Sequence, residues 1–270
     1  MNNKTHDYYN DHPEQGKRVS HSGQRKRKRS KAPYYIVLVI LLGVLVFSAT
    51  KIISYFKQQA DASKIQQNMQ DQYTKPKDDD SSGQDQQDSI TVDFEKMCSD
   101  YPDVVGYIYG ANTGLNYPIQ YGKGNDYYLK YDSDGNLNNN GSIFIEERNS
   151  GAFADDNTII YGHNMKSGLM FACLRNYHTD KSYYAAHPYI YIYTPSQNYR
   201  LDLYAGFVCE HDDEVYTTSL SQSQLEAMAA KSDFKANIGV PTGKTVTLST
   251  CSYEFSDARY VIVGALTAID

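Results

Sequence analysis

A chain of 270 residues with 26 Lys/Arg, 32 Asp/Glu and a net charge of −6 has room for one or two domains. The charge is uneven, since residues 1–31 hold nine basic and three acidic residues and so leave −12 on the remainder. That acidic remainder argues against nucleic acid as a partner.

Lys17, Arg18, Arg25, Lys26, Arg27, Lys28, Arg29 and Lys31 form a basic run without an acidic residue. From Ala32 to Thr50 no side chain is charged. Nineteen such residues make a helix of roughly 28 Å, close to the hydrocarbon thickness of a bilayer. A cleaved signal would begin nearer the N-terminus, and a buried globular helix would keep a polar face. Residues 32–50 therefore read as a single transmembrane helix. Because flanking Lys and Arg stay in the cytoplasm, residues 1–31 form a basic cytoplasmic tail and the rest of the chain lies outside. Residues 51–89, rich in Gln, Asp, Lys and Ser, read as a polar stalk whose first half can continue the helix and whose later part lacks the apolar surface to fold.

From residue 90 to 270 the composition is that of one domain with a good core. Asp93 to Ser99 predicts a short helix that ends before Tyr101-Pro102. Eight short runs rich in β-branched and aromatic residues follow: VVGYIYG, LNYPIQY, GSIFIE, NTIIYG, YIYIYT, YRLDLYAGFV, KTVTLST and ARYVIVGAL. Turn signals such as Ser133-Asp134-Gly135-Asn136 separate them, and the pattern predicts a mainly β protein built on a closed or nearly closed barrel. Helical pattern also appears in 169–177 and in 219–234, where in the second Leu220, Leu225, Met228 and Ala229 can share a face and Ser221 or Ser223 can cap. With 26 tyrosines and no tryptophan, most aromatics are expected to be half-buried strand residues.

Cys251 ends the strand-like run TLSTC, where a sheet can hold a side chain rigidly beside open space. Alone, this thiol reads as a packed core residue, as half of a disulfide with Cys98, Cys173 or Cys209, or as a nucleophile. A nucleophile needs a base or a positive neighbour. Of His163, His178, His187 and His211, His163 directly follows a strand-like run, with Gly162 to let the chain turn. Arg259 opens the last strand after a loop-length gap of eight residues, so antiparallel neighbours would bring its guanidinium near the thiol as a fixed donor to an oxyanion. His211 with Asp212, Asp213 and Glu214 reads as a solvated acidic loop rather than a metal site.

TLSTC with an arginine eight residues on, together with YGHNMKSGLMF (161–171), resembles the catalytic segments of the sortases, in particular class B. The likeness continues through PDVVGYI, LNYPIQYG, NDYYLKYD and NGSIFIE and spans nearly all of residues 90–270. It implies a sortase-like closed β-barrel of about eight strands, with an N-terminal helix and a helix inserted before the late strands. It further implies a cysteine transpeptidase without a cofactor. Cys251 would be the nucleophile, His163 the general acid/base and Arg259 the oxyanion or substrate-positioning group. Ser249, Thr250 and Asn125 would line the sorting-signal groove. The implied substrates are secreted proteins with a C-terminal NPxTN-like or NPxTG-like motif, cut after Thr through a thioester. The acceptor would be an amine of the peptidoglycan cross-bridge or of a pilin. Two departures stand out: Gly106-Tyr107 where relatives often have Gly-Trp, and Ser252 where an acidic residue often follows the cysteine. An L,D-transpeptidase or a papain-like hydrolase would show different segments around its cysteine. A non-catalytic adhesion or pilus-assembly module on the same barrel would leave Cys251 inert.

Overall fold

The computed structural model describes residues 30–77 and 89–270, and it divides into one compact unit up to Lys51 and a second from Ile52 to Asp270. Most of the basic tail, and the stalk over 78–88, lie outside the described residues. Helix α1 runs over Ala32–Tyr73. Its stretch Ala32–Lys57 is long and apolar enough to cross a membrane, and its large apolar side chains are exposed.

The second unit starts well before residue 90. Met69 and Tyr73 are buried in a cluster with Ile90, Met97, Val104 and Tyr107, and Ile65 packs against it. These three α1 residues recur every four positions, so a narrow apolar stripe runs through a segment whose average composition is polar. Gln66 accepts the Tyr117 hydroxyl at 3.1 Å, and Gln70 donates to the Asn116 carbonyl at 3.2 Å. Strand β1 (Thr74–Pro76) then pairs antiparallel with β2 (Ile90–Val92). Residues 65–76, expected in the stalk, are therefore part of the folded unit.

Helix α2 (Phe94–Asp100) is capped by Asp93, whose carboxylate accepts the Lys96 amide at 3.0 Å. The eight expected runs all form strands: β3 (Val104–Gly110), β4 (Leu115–Gln120), β5 (Ile143–Ile145), β6 (Asn157–Tyr161), β7 (Tyr189–Tyr193), β8 (Asn198–Cys209), β9 (Thr245–Cys251) and β10 (Arg259–Ile269). They close into a barrel in the order β10-β8-β7-β3-β4-β5-β6-β9. The barrel's side chains from Ile108, Leu115, Ile119, Ile143, Ile160, Leu248 and Ile262 fill the core, each contributing about 1.5–3 kcal/mol on burial. Tyr107, at the position of the Gly-Trp departure, is fully buried and donates to Asn116 Oδ1 at 2.6 Å.

Between strands lie α3 (Asn125–Tyr128), a 3-10 turn at Phe171–Arg175, α4 (Asn176–Thr179), α5 (Tyr183–Ala186) and α6 (Gln222–Ala230). The helix expected over 169–177 starts only at Phe171, because Gly168 and Met170 take positive φ of 84° and 60°. In α6 the Ser221–Gln224 capping box fixes the start and Leu225 and Met228 face inward, whereas Ala229 is exposed.

Two neighbour pairs, β4–β5 and β6–β9, are parallel. The second decides which strand ends meet. Tyr161 pairs with Ser249, so both strands end at one rim and deliver Gly162-His163 beside Thr250-Cys251. Strand β10 starts at the same rim, with Arg259 directly opposite Cys251.

Candidate active site

Beyond Tyr161 the chain leaves β6 but stays laced to β9. Gly162 N donates to the Ser249 carbonyl at 3.1 Å, and Thr250 Oγ1 donates to the Gly162 carbonyl at 2.7 Å. Asn164 Nδ2 reaches the Cys251 carbonyl at 2.8 Å. Gly162 is needed for close approach rather than for a left-handed turn, since a Cβ there would lie 2.7 Å from the Phe171 ring. His163 is thus presented on a backbone pinned on both sides.

Its imidazole is held as well. Nε2 donates to the Leu129 carbonyl at 2.9 Å, and because a carbonyl only accepts, the ring carries hydrogen on Nε2 and Nδ1 is the accepting nitrogen of the neutral ring. Leu129 follows α3 and is buttressed by Gly141, whose φ of 55° and near-contact with the Tyr128 and Leu129 carbonyls leave no room for a Cβ.

Cys251 is a free, half-buried thiol at the end of β9. Arg259 Nη1 donates to the Asp257 and Ala258 carbonyls at 3.0 and 3.1 Å, which fixes the guanidinium against its own loop while Nε and Nη2 can serve a bound group. Asp257 takes a φ of 59°, and Ser252 N donates to the Ala258 carbonyl at 2.8 Å, closing the loop between thiol and guanidinium.

One cleft of about 160 Å³ brings together all six residues expected at the site: Asn125, His163, Ser249, Thr250, Cys251 and Arg259. Gly162 lines it too, and so do Leu129, Phe144 and Tyr161, which sequence reading missed. Tyr161 could have been noticed for its place two residues before His163, whereas nothing local to Leu129 marks it. The hydroxyls of the groove residues are already engaged. Ser249 shares a hydrogen bond of 2.8 Å with Tyr216, and Thr250 donates to Gly162. Asn125 donates to Glu146 at 3.1 Å and accepts the Glu147 amide at 3.1 Å. A larger groove of about 640 Å³, between β2 and the β7–β8 turn, carries no thiol or imidazole among the described residues.

The other thiols are free too, and differently placed. Burial pushes Cys173 up to about 12, and burial with Asp213 nearby does the same to Cys209. Burial also raises Cys98. None of the three supplies thiolate readily at neutral pH. With Cys251 unbridged, the disulfide reading is excluded. His178 is bound to Asp233 at 2.8 Å, away from the cleft's wall. In the acidic loop Asp213 caps the Val215 amide and pairs with Lys231 at 3.1 Å.

The Sortase domain family matches residues 111–267. Sortase B of Listeria monocytogenes is 34% identical over 237 residues, covering 84% of this chain and 94% of that protein. Sortase B of Staphylococcus aureus is 27% identical over 253 residues, covering 89% and 99%. Among solved structures, a Bacillus anthracis sortase B complex superposes with a TM-score of 0.66 at 28% identity, covering 79% of this chain and all of that one. A Staphylococcus aureus sortase B–substrate complex gives 0.64 at 25% identity, covering 81% and 100%. With the barrel, the family match and these relatives in agreement, the chain belongs to the sortase family of cysteine transpeptidases and groups with its sortase B members.

Proposed function

We propose that Cys251, His163 and Arg259 carry the transpeptidation, with Cys251 as nucleophile, His163 as acid/base and Arg259 as donor to the oxyanion. The single observation behind this reading is the strand register, in which Arg259 faces Cys251 across β9–β10 while the parallel β6–β9 pair ends both strands at one cleft.

In this reading the Cys251 thiol gives its proton to His163 Nδ1 and its sulfur attacks the Thr carbonyl of an NPxTN-like or NPxTG-like sorting motif. The oxyanion that forms is met by the guanidinium held over the loop. The Leu129 carbonyl stabilises the imidazolium through Nε2–H, so that the Nδ1 proton is the one given to the leaving amine as the C–N bond breaks. A thioester to Thr remains. An amine from a peptidoglycan cross-bridge or a pilin, losing its proton to His163, then attacks the thioester and frees the thiol. Phe144 and Tyr161 supply the apolar wall for the motif, and Ser249, Thr250 and Asn125 set the cleft's shape more than they offer free groups.

The apolar stretch of α1 fits a membrane anchor. In our reading it crosses once, with the basic tail inside and the catalytic unit outside, where secreted substrates and acceptor amines meet at raised effective concentration. The test is to incubate the full chain in detergent with an NPxTN and NPxTG peptide library and weigh the intact protein. A mass increase equal to the fragment ending in Thr, mapped to Cys251 and discharged by added triglycine, is expected. Cleavage without any such adduct, or an adduct elsewhere, would overturn the reading.

A further inference from the structure

Glu146, just after β5, is a buried carboxylate, 3% exposed, that no step above uses. Oε1 accepts Asn125 Nδ2 and Arg148 Nε, each at 3.1 Å. Oε2 accepts the Tyr161 hydroxyl at 2.8 Å and Arg148 Nη2 at 3.2 Å. Burial pushes this carboxyl up, but the hydrogen bonds from Arg148, Tyr161 and Asn125 outweigh it and hold it below the ordinary range, so it is an anion at neutral pH.

Two of these donors lead to His163 by separate routes. Asn125 opens α3, and its carbonyl accepts the Leu129 amide at 3.1 Å, so the carboxylate anchors the turn that ends in the carbonyl bound to His163 Nε2. Tyr161 ends β6 two residues before the imidazole. Carbonyl and ring thus come from two different elements, and one carboxylate ties both.

We propose that Glu146 is a positioning residue for His163, holding α3 and the end of β6 to one point so that the Leu129 carbonyl meets Nε2–H. The inference rests on His163 being the acid/base group. Glu146 is absent from the cleft wall and acts only through Asn125 and Tyr161. A glutamine in its place loses the charge and, in either orientation, sets its NH₂ against a donor of Arg148, so that even where that NH₂ donates to the Tyr161 oxygen the point joining the two routes is weakened. With the turn released, the neutral ring divides between its two tautomers and the proton site is no longer unique.

The experiment uses the full chain in detergent micelles with ¹⁵N-labelled histidine, comparing parent with E146Q. In the parent, neutral His163 is expected as the Nε2–H tautomer, and in E146Q as a mixture. For a quenched-fluorescent NPATN peptide, kcat is expected to fall by about tenfold or more with KM within about twofold. An unchanged tautomer overturns the inference, as does a tautomer shift without loss of kcat or a loss confined to KM. Should E146Q not fold, Tyr161→Phe removes a single hydroxyl from the network and is read the same way. His163→Ala separates the two readings: parental turnover there would end the acid/base assignment, whereas the tautomer spectrum tests Glu146 without any turnover.

Discussion

Arg259 has a cysteine on each side. Across β9 it faces Cys251 and across β8 it faces Cys209, at equivalent positions in the two ladders. On the β8 side the thiol is buried among Val215, Tyr216 and Leu225, and burial with Asp213 pushes it up to about 12. On the β9 side the thiol is half-buried and shares a cleft with an imidazole. Proximity to a guanidinium is common to both, so it cannot be what distinguishes the two thiols. Access to a peptide and a proton acceptor within the same cleft are what differ.

The sharpest way to break this contrast is to exchange the roles of the two thiols. Cys251→Ala is expected to abolish cleavage and transfer, while Cys209→Ala keeps turnover within about twofold. A thiol-directed vinyl sulfone at neutral pH should add one mass increment, mapped to Cys251 by peptide mass spectrometry. Labelling at Cys209, or an inert Cys251, would reverse the contrast.

Next in size are the groups that serve the β9 side. Arg259→Ala and His163→Ala are each expected to lower kcat/KM by about 10²–10³-fold with an intact circular-dichroism spectrum. Full turnover on a sorting peptide in Arg259→Ala would remove its oxyanion role.

A smaller effect comes from the backbone that carries His163. Gly162→Ala puts a Cβ 2.7 Å from the Phe171 ring and is expected to cost about 1–3 kcal/mol in denaturant unfolding. An unchanged midpoint would show that Phe171 yields freely.

The smallest is a pH effect on stability. Glu146 has its folded-state value held below the unfolded one of about 4.3, so its contribution is full above that pH and is lost as pH falls through the lower, folded value. The parent should lose stability more steeply than E146Q over that acid window, measured by thermal melts. Parallel curves would show that the carboxylate adds nothing to stability.

Much of this was legible along the chain because strand signals are local. Each of the eight runs is short, apolar and bounded by turn residues, and each became a strand. The gap from Cys251 to Arg259 has the length of a loop between antiparallel neighbours, so their meeting could be anticipated. Ile65, Met69 and Tyr73 carry no signal in composition because a stripe four residues apart is averaged away, and the helical stretch expected over 169–177 starts two residues later, at Phe171, because the backbone at Met170 takes a left-handed conformation that its side chain does not advertise. Leu129 acts through its carbonyl, a group every residue possesses, so its part at the site had no signature in the residue type.

The order of residues by itself determined the apolar anchor stretch, the strand inventory and the pairing of thiol with guanidinium, since each rests on neighbours within about twenty positions. Only the tertiary structure decided that β6 runs parallel to β9, that α1 closes over the barrel's flank through Met69 and Tyr73, and that Glu146 joins two elements beneath the imidazole. Those outcomes depend on contacts between segments about 15 to 90 residues apart, formed when the barrel closes, and no local pattern of side chains encodes which distant strand end will arrive at the same rim.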